Sequence, residues 1–246
     1  MSISRALFHG IVALLLTVLT QIGGLAWLIA LAFRRRWIAF PIAYAALWLA
    51  AFLAAPFLGR VALPCTGEPL RSASPLYCVM ARHYVAPDLR DAAVDLAQHL
   101  DRTHPGTVTE TLDAGFPFPM PMLPHLSHDD GGQLDLALWW TDDGAYRAGA
   151  SPSPIGYFGF ADGPTNCPDR RLSLRWDLDW LQPLLPEREP DLDRLATALS
   201  FVKDDARIGR ILVEPHLAET AGVTGGTIRF QGCRAARHDD HIHIQR

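Results

Sequence analysis

Two segments rich in histidine and aspartate could together bind a divalent metal ion. Residues 127–135 contain His128 and Asp135, and residues 238–243 contain His241 and His243. Imidazole and carboxylate groups, with no thiolate among them, suit a catalytic zinc site, which uses three protein ligands and leaves one position for water. These residue types predict one zinc ion per chain, but their spacing alone is equally compatible with polar residues in solvated turns.

The local geometry expected for these segments favours a shared site. His241 and His243 are two residues apart on a predicted strand, so both imidazoles point to the same face of the sheet. Gly131 and Gly132 allow the loop that precedes Asp135 to turn back toward it. The two segments can therefore direct their side chains at one point.

The order and spacing of the two segments resemble those of the LAS metallopeptidases. This family includes lysostaphin-type enzymes, D-Ala-D-Ala carboxypeptidases and penicillin-insensitive murein endopeptidases, and the last group is the most similar. Residues 125–135 resemble its His-x-Ser-His-x-x-Gly-x-x-x-Asp segment, and residues 238–243 resemble its His-Asp-x-His-x-His segment. The resemblance covers about residues 85–246 and includes a strand and proline at residues 210–215.

Carried over by position, the resemblance implies that zinc is bound by His128, Asp135 and His243. It implies that His241 is the general base or a polarising imidazole in the hydrolysis of peptide bonds in peptidoglycan by zinc-activated water. Four further residues are expected as accessory groups or as acceptors of the second ring N–H of a ligand histidine: His125, His238, Asp239 and Asp240.

The chain departs from the family pattern in two places, and two other functions stay open. Gly132-Gln133 stands where the family often has an apolar residue and an acid, and residues 141–165 have no counterpart. The alternatives are a D,D-carboxypeptidase acting on stem peptides and a non-catalytic, membrane-tethered protein that binds the cell wall. His241 argues against the second alternative, because a purely structural metal site does not need an extra imidazole.

The first 60 residues have the composition of a transmembrane helical hairpin. Two apolar runs, at about residues 6–33 and 37–58, are each long enough to cross a bilayer and are joined by Arg34-Arg35-Arg36. A cleaved signal peptide is the alternative for the first run. Three arginines in the turn, against Arg5 and Arg60 at the outer ends, predict that the turn is cytoplasmic. Both termini and the C-terminal domain are then expected on the periplasmic or extracellular side of the cytoplasmic membrane.

Cysteine usage agrees with an oxidising compartment. All four cysteines follow the second apolar run, and none lies in a C-x-x-C pair. An even number of cysteines in such a compartment predicts two disulfides. Of the three possible pairings we prefer Cys65–Cys78 with Cys167–Cys233, and four free buried thiols are the alternative.

Charge and periodicity define the rest of the chain. Residues 1–60 hold five of the 22 basic residues and none of the 26 acidic ones, so the remainder has a net charge of −9, which argues against nucleic-acid binding.

Residues 61–76 are predicted to be a linker, and residues 77–246 an α+β domain with a small antiparallel sheet and flanking helices. Helices are predicted over Pro87–His104, Leu172–Leu185 and Asp191–Lys203, and residues 141–165 are predicted to form a loop or hairpin over the site.

Overall fold

The structure, a computed structural model, describes residues 2–165, 167–168 and 174–246 of a mixed α/β chain. The helices are α1 Ile3–Thr20, α2 Gly23–Ala30, α3 Arg36–Ala54, α4 Pro75–Val79, α5 Pro87–Thr103, α6 Leu192–Asp204 and α7 Pro215–Thr220, with 3-10 helices at Ala55–Leu58 and Gln182–Leu184. The strands are β1 Val61–Ala62, β2 Leu70–Ser72, β3 Tyr84–Val85, β4 Thr109–Thr111, β5 Gln133–Ala137, β6 Trp140–Asp142, β7 Ala145–Tyr146, β8 Glu189–Pro190, β9 Arg210–Leu212, β10 Ile228–Arg229 and β11 His241–Gln245.

The N-terminal apolar region contains three helices instead of the two predicted spans. The prediction of one span over residues 6–33 is wrong, because α1 ends at Thr20 and the chain reverses before α2. A Cβ on Gly24 would lie 2.4 Å from the carbonyl oxygen of Ala13, whereas one continuous helix would hold these residues about 16 Å apart. Two helical segments are long and apolar enough to cross a membrane, Ile3–Thr20 and Arg36–Leu58.

The main sheet has six strands in the order β10-β9-β11-β5-β4-β2. Its centre is antiparallel, but β9 and β10 pair in parallel at one edge, as do β2 and β4 at the other. The sheet is therefore mixed and not antiparallel as predicted. Each parallel pair needs a crossover connection, which α7 provides at one edge and the segment containing α4 and α5 provides at the other.

The two central strands separate the hydrophobic core from the candidate site. Leu136 of β5 and Ile242 of β11 are fully buried in the core, together with apolar side chains of α5 and α6. Because side chains alternate along a strand, the residues between these positions point to the opposite face of the sheet. That face carries Asp135, His241 and His243.

Amphipathic periodicity correctly predicted the two helices that cover the sheet. The predictions of helices at Pro87–His104 and Asp191–Lys203 are confirmed within one residue at each end by α5 and α6. Residues 61–76, predicted to be a linker, contain β1 and β2, which pair with β3 and β4. This segment therefore packs on the domain, which its composition did not predict.

Both expected disulfides are present, and one predicted helix is not. Cys65 is bonded to Cys78, and Cys167 to Cys233. The helix predicted over residues 172–185 is wrong for its described part, because residues 174–185 contain only the 3-10 turn at Gln182–Leu184. Residues 172 and 173 of that prediction lie outside the described residues. The proline at position 183 cannot donate a helical hydrogen bond, and Gln182 instead bonds to the backbone of the loop at 158–160.

Candidate metal centre

Two of the three expected metal ligands face each other across adjacent strands. His243 of β11 is directly opposite Asp135 of β5 in an antiparallel register that extends over five residue pairs. The Nδ1 atom of His243 donates a hydrogen bond to Oδ1 of Asp135 at 2.7 Å. Both side chains are buried, so the strand register itself places an imidazole and a carboxylate at one point.

The third expected ligand, His128, comes from the loop that precedes β5. Its Nδ1 atom is 2.6 Å from the carbonyl oxygen of Ala114. A carbonyl can only accept a hydrogen bond, so Nδ1 carries a hydrogen and Nε2 is the ring nitrogen that faces the other two groups. Burial lowers the pKa of His128, but the carboxylate of Asp135 outweighs it and raises the pKa. That Nε2 atom lies 3.3 Å from Nδ1 of His243 and 3.5 Å from Oδ1 of Asp135.

These three atoms form a triangle of the size that a zinc ion requires. Ligand atoms about 2.05 Å from a tetrahedral zinc ion are about 3.3 Å from one another. Two edges of the triangle match this value, and the third is 2.7 Å because His243 and Asp135 share a hydrogen. Lengthening the distance between His243 Nδ1 and Asp135 Oδ1 by about 0.6 Å would give the spacing of ligand atoms in a tetrahedral zinc site.

The two oxygens of Asp135 have different partners. Oδ1 faces His128 and His243, whereas Oδ2 accepts a hydrogen bond from the hydroxyl of Tyr157 at 2.6 Å. Burial raises the pKa of Asp135, but the neighbouring imidazoles of His128 and His241 outweigh it and hold the pKa well below its usual range. Asp135 is therefore an ionised candidate ligand whose orientation Tyr157 fixes.

His241 lies beside the triangle without belonging to it. Its Nδ1 atom is hydrogen-bonded to Oδ1 of Asp240, and its Nε2 atom is 3.8 Å from Oδ2 of Asp135. The other oxygen of Asp240 accepts a hydrogen bond from the backbone N–H of Phe158 at 2.6 Å, which fixes the carboxylate. Burial lowers the pKa of His241, but the carboxylates of Asp240 and Asp135 outweigh it and raise the pKa to about 9.

The two accessory histidines, His125 and His238, lie beside the candidate ligands. His125 lies between Asp113 and Oδ2 of Asp135, at 3.4 and 3.6 Å, and stacks on Tyr157. Burial lowers the pKa of His125 to about 4, so this ring is neutral at pH 7. The ring centroid of His238 is 4.8 Å from that of His241. Burial and the neighbouring histidines also lower the pKa of His238 well below its usual value.

Asp239 is the one expected site residue that the structure turns away from the centre. Its carboxylate is paired with the guanidinium of Arg237, and its carbonyl oxygen accepts a hydrogen bond from the N–H of Ala161. Asp240 is instead bonded to His241, so the two neighbouring aspartates have different partners. Asp240 therefore has the role of orienting a histidine, and Asp239 holds the neighbouring loop.

Two other groups of potential ligands are weaker candidates for a metal. His125 could replace His243 in a triad with His128 and Asp135, whose ligand atoms lie within 4.8 Å of one another. His125 is farther from Asp135 than His243 is, and it faces the oxygen that Tyr157 already holds. The sulfurs of Cys65 and Cys78, near His83, are oxidised to a disulfide and so offer no thiolate.

The metal centre lies in a cleft of about 440 Å³. Its walls include α4, the loop at 124–128, the loop at 155–160 and residues 174–176. Sequence reasoning expected a loop over the site, which is confirmed, but it did not identify Tyr157, Ala114 or Asp113 as contacts of the ligands. The three aromatic residues at positions 157, 158 and 160 of the Gly- and Pro-rich segment 141–165 were the available signal for Tyr157.

Comparison with protein-family models and with curated proteins gives no match to this chain. Two imidazoles and one carboxylate converge, Nε2 of a further oriented imidazole lies 3.8 Å from that carboxylate, and a cleft gives access. Such an arrangement can bind a divalent cation and move a proton next to it.

Proposed function

We propose that the chain is a membrane-anchored zinc metallopeptidase that hydrolyses peptide bonds in peptidoglycan, acting as a murein endopeptidase on cross-linked stem peptides. The observation that carries the proposal is the convergence of His128 Nε2, Asp135 Oδ1 and His243 Nδ1 within one cleft, with His241 beside them. Three protein ligands next to a further imidazole are typical of catalytic zinc sites, whereas structural sites use four protein ligands.

The residues present fit zinc in donor type and spacing, and metal binding would displace the hydrogen that His243 shares with Asp135. His128, Asp135 and His243 would hold the ion, and the carbonyl of Ala114 fixes the tautomer that His128 needs. When bound, zinc supplies a Lewis acid that polarises the scissile carbonyl and lowers the pKa of a water molecule toward 7.

His241 is the residue that moves the proton in this proposal. Asp240 accepts the hydrogen of Nδ1, which leaves Nε2 directed toward the ligand triangle. Because the pKa of about 9 keeps the ring cationic at pH 7, Nε2 can donate a hydrogen bond to the oxyanion that forms, and only the neutral form of the ring can take the proton of an attacking water. The buried carboxylate of Asp240 stabilises the imidazolium in either role, as the third member of an oriented acid–base set does.

The arginines of the N-terminal region support an outward-facing domain. Gln21, just after α1, is hydrogen-bonded in both directions to the backbone of Phe118, so the C-terminal end of α1 lies beside the domain. Arg5 is then at the end of α1 away from the domain, and Arg34-Arg35-Arg36 is at the corresponding end of α3. The positive-inside rule places both ends in the cytoplasm and the domain in the periplasm or outside. This path gives a cytoplasmic N-terminus, in place of the outward one expected from a single first span.

The substrate class follows from the compartment and from the family resemblance. A domain outside the cytoplasmic membrane with two disulfides works in an oxidising space where peptidoglycan is the abundant peptide polymer. The cleft of about 440 Å³ is large enough for a short peptide. These points support stem peptides of peptidoglycan as the substrate.

The proposal is tested with the full-length protein purified in detergent under oxidising conditions. Cross-linked and monomeric muropeptides are incubated with wild type, His241→Ala and the control His99→Ala, whose ring stacks on Phe201 away from the cleft. Products are identified by mass, and zinc per chain is measured on the same samples.

We expect chelator-sensitive cleavage of cross-linked dimers by wild type and by His99→Ala, and its loss in His241→Ala at unchanged zinc content. Cleavage of monomers alone would replace the endopeptidase by a D,D-carboxypeptidase. Bound zinc without cleavage of any muropeptide would overturn the peptidase proposal, and an absence of bound zinc would overturn the metal site.

A further inference from the structure

The short helix α4 connects the apolar helix α3 to the cleft. The hydroxyl of Tyr44 donates to the carbonyl of Val79 at 2.6 Å, and the indole N–H of Trp48 donates to the carbonyl of Cys78 at 2.9 Å. Tyr44 and Trp48 lie about 12 and 18 Å along α3 from Arg36. The contacts therefore occur in the middle of the apolar helix, and α4 lies beside its length and not beyond its end.

The cleft shares its walls with the segments that contact the apolar helices. Leu76, Tyr77 and Met80, in and just after α4, line the cleft on one side. The loop at 124–128 lines it as well, and this loop continues the segment that Gln21 binds through Phe118. A bilayer that surrounds α1 and α3 therefore reaches the mouth of the cleft.

Exposed apolar side chains concentrate at that mouth. Leu76, Leu126, Leu174 and Trp176 line the cleft and are 51%, 62%, 64% and 43% exposed. Beyond residue 60, the other large apolar side chains that are exposed within the described residues are Val79, Leu123, Trp180, Leu184 and Phe230. Exposed apolar side chains beside helices that are themselves exposed and apolar are typical of a surface that contacts a membrane.

We propose that the mouth of the cleft is immersed in the bilayer and that the site acts on peptides carried by a lipid anchor. The lipid part of such a substrate stays in the bilayer against Leu76 and Leu126, while its peptide enters the cleft toward the metal centre. The inference rests on the proposed peptidase function for its chemistry, but the immersion of the rim depends only on the contacts with α3 and α1.

Immersion is tested on the full-length protein in lipid nanodiscs by spin labelling. The four native cysteines are paired, so Leu126→Cys supplies one free thiol for the label. The control is Arg102→Cys, an exposed position on α5, which packs on the opposite face of the sheet. We expect the label at position 126 to collide with oxygen and to be protected from chromium oxalate, whereas the label at position 102 shows the reverse. A water-exposed label at position 126 would overturn the proposal and leave the rim as a surface for a protein partner.

Substrate class is tested with one stem peptide in two forms, attached to a lipid in vesicles and free in solution. We expect a kcat/KM at least tenfold higher for the lipid-attached form, and a loss of that preference in Leu126→Glu at unchanged zinc content. Equal kcat/KM values for wild type on the two forms would overturn the proposal. Cleavage of neither form would instead refute the peptidase function, while the spin-label result still decides whether the rim is immersed.

Discussion

Replacement of Tyr157 by phenylalanine removes one hydroxyl and keeps the aromatic ring. The hydroxyl donates to Oδ2 of Asp135 and lies 3.2 Å from the backbone N–H of Asp113, from which it accepts a hydrogen bond. Burial and nearby carboxylates raise the pKa of Tyr157 well above its usual value, so the hydroxyl stays a donor at every relevant pH. A hydrogen bond to a buried carboxylate contributes about 1.5–3 kcal/mol. Loss of an outer hydrogen-bond partner of a metal ligand weakens metal binding about 10- to 100-fold, or about 1.4–2.7 kcal/mol. The free energy of the hydrogen bond and the expected loss of metal-binding free energy therefore agree in magnitude.

We therefore expect Tyr157→Phe to bind zinc about 10- to 100-fold more weakly than wild type, measured by competition with a chromophoric chelator at pH 7. The matched control is Tyr77→Phe, because Tyr77 is also a buried tyrosine lining the cleft but donates to the carbonyl of Ile155. The unpaired N–H of Asp113 would lower the stability of Tyr157→Phe by about 1 kcal/mol, which a denaturant titration of the apoprotein measures separately. Equal zinc affinity in Tyr157→Phe and wild type would refute the claim that Tyr157 orients Asp135.

Three further predictions address the ligands, the base and the junction with α3. Truncation after Ile242 removes His243 and is expected to abolish zinc binding, whereas a chain ending at Ile244 keeps the ligand and should retain the metal; zinc retained by the shorter chain would exclude His243 as a ligand. His241→Ala should lower kcat by about 10²–10⁴ and leave zinc per chain unchanged, and a small effect on kcat would exclude it as the base. The ring of His83 stacks on Trp48 of α3, and burial lowers the pKa of His83 to about 4. The free energy of unfolding is therefore highest above the unfolded pKa of about 6.5 and falls as the pH decreases toward 4. His125 and His238 contribute in the same direction, so between pH 7 and 5 the loss of stability should be about 2 kcal/mol smaller in His83→Gln than in wild type; equal losses would show that His83 does not contribute.

Local patterns in the sequence predicted the elements whose structure depends on their own residues. The apolar stripe Leu89, Leu96 and Leu100 predicted α5, and it is this stripe that is buried against the sheet. The path of the first apolar run was not predictable, because hydropathy records that a segment is apolar and not where it reverses. The reversal depends on the contact of Gly24 with Ala13, which is a tertiary interaction.

The candidate site also contains some residues that the sequence identified and others that only the structure shows. The resemblance supplied His128, Asp135 and His243, and the structure brings these residues together within hydrogen-bonding distance or close to it. Tyr157 was not identified, because its contact with Asp135 joins two segments that are 22 residues apart and separated by a hairpin. The different partners of Asp239 and Asp240 also required the structure, since two adjacent aspartates are chemically identical in the sequence.

The ligands differ in how firmly the fold holds them, and this difference assigns separate tasks to the sheet and the loops. Asp135 and His243 belong to central strands with neighbours on both sides, so their separation is fixed by backbone pairing before any ion binds. His128 belongs to a loop and is positioned chiefly through the carbonyl of Ala114. A metal that joins His128 to the strand pair therefore fastens this loop to the sheet. The same loop carries Leu126 at the rim of the cleft, so a metal that holds His128 would also restrain this part of the cleft mouth.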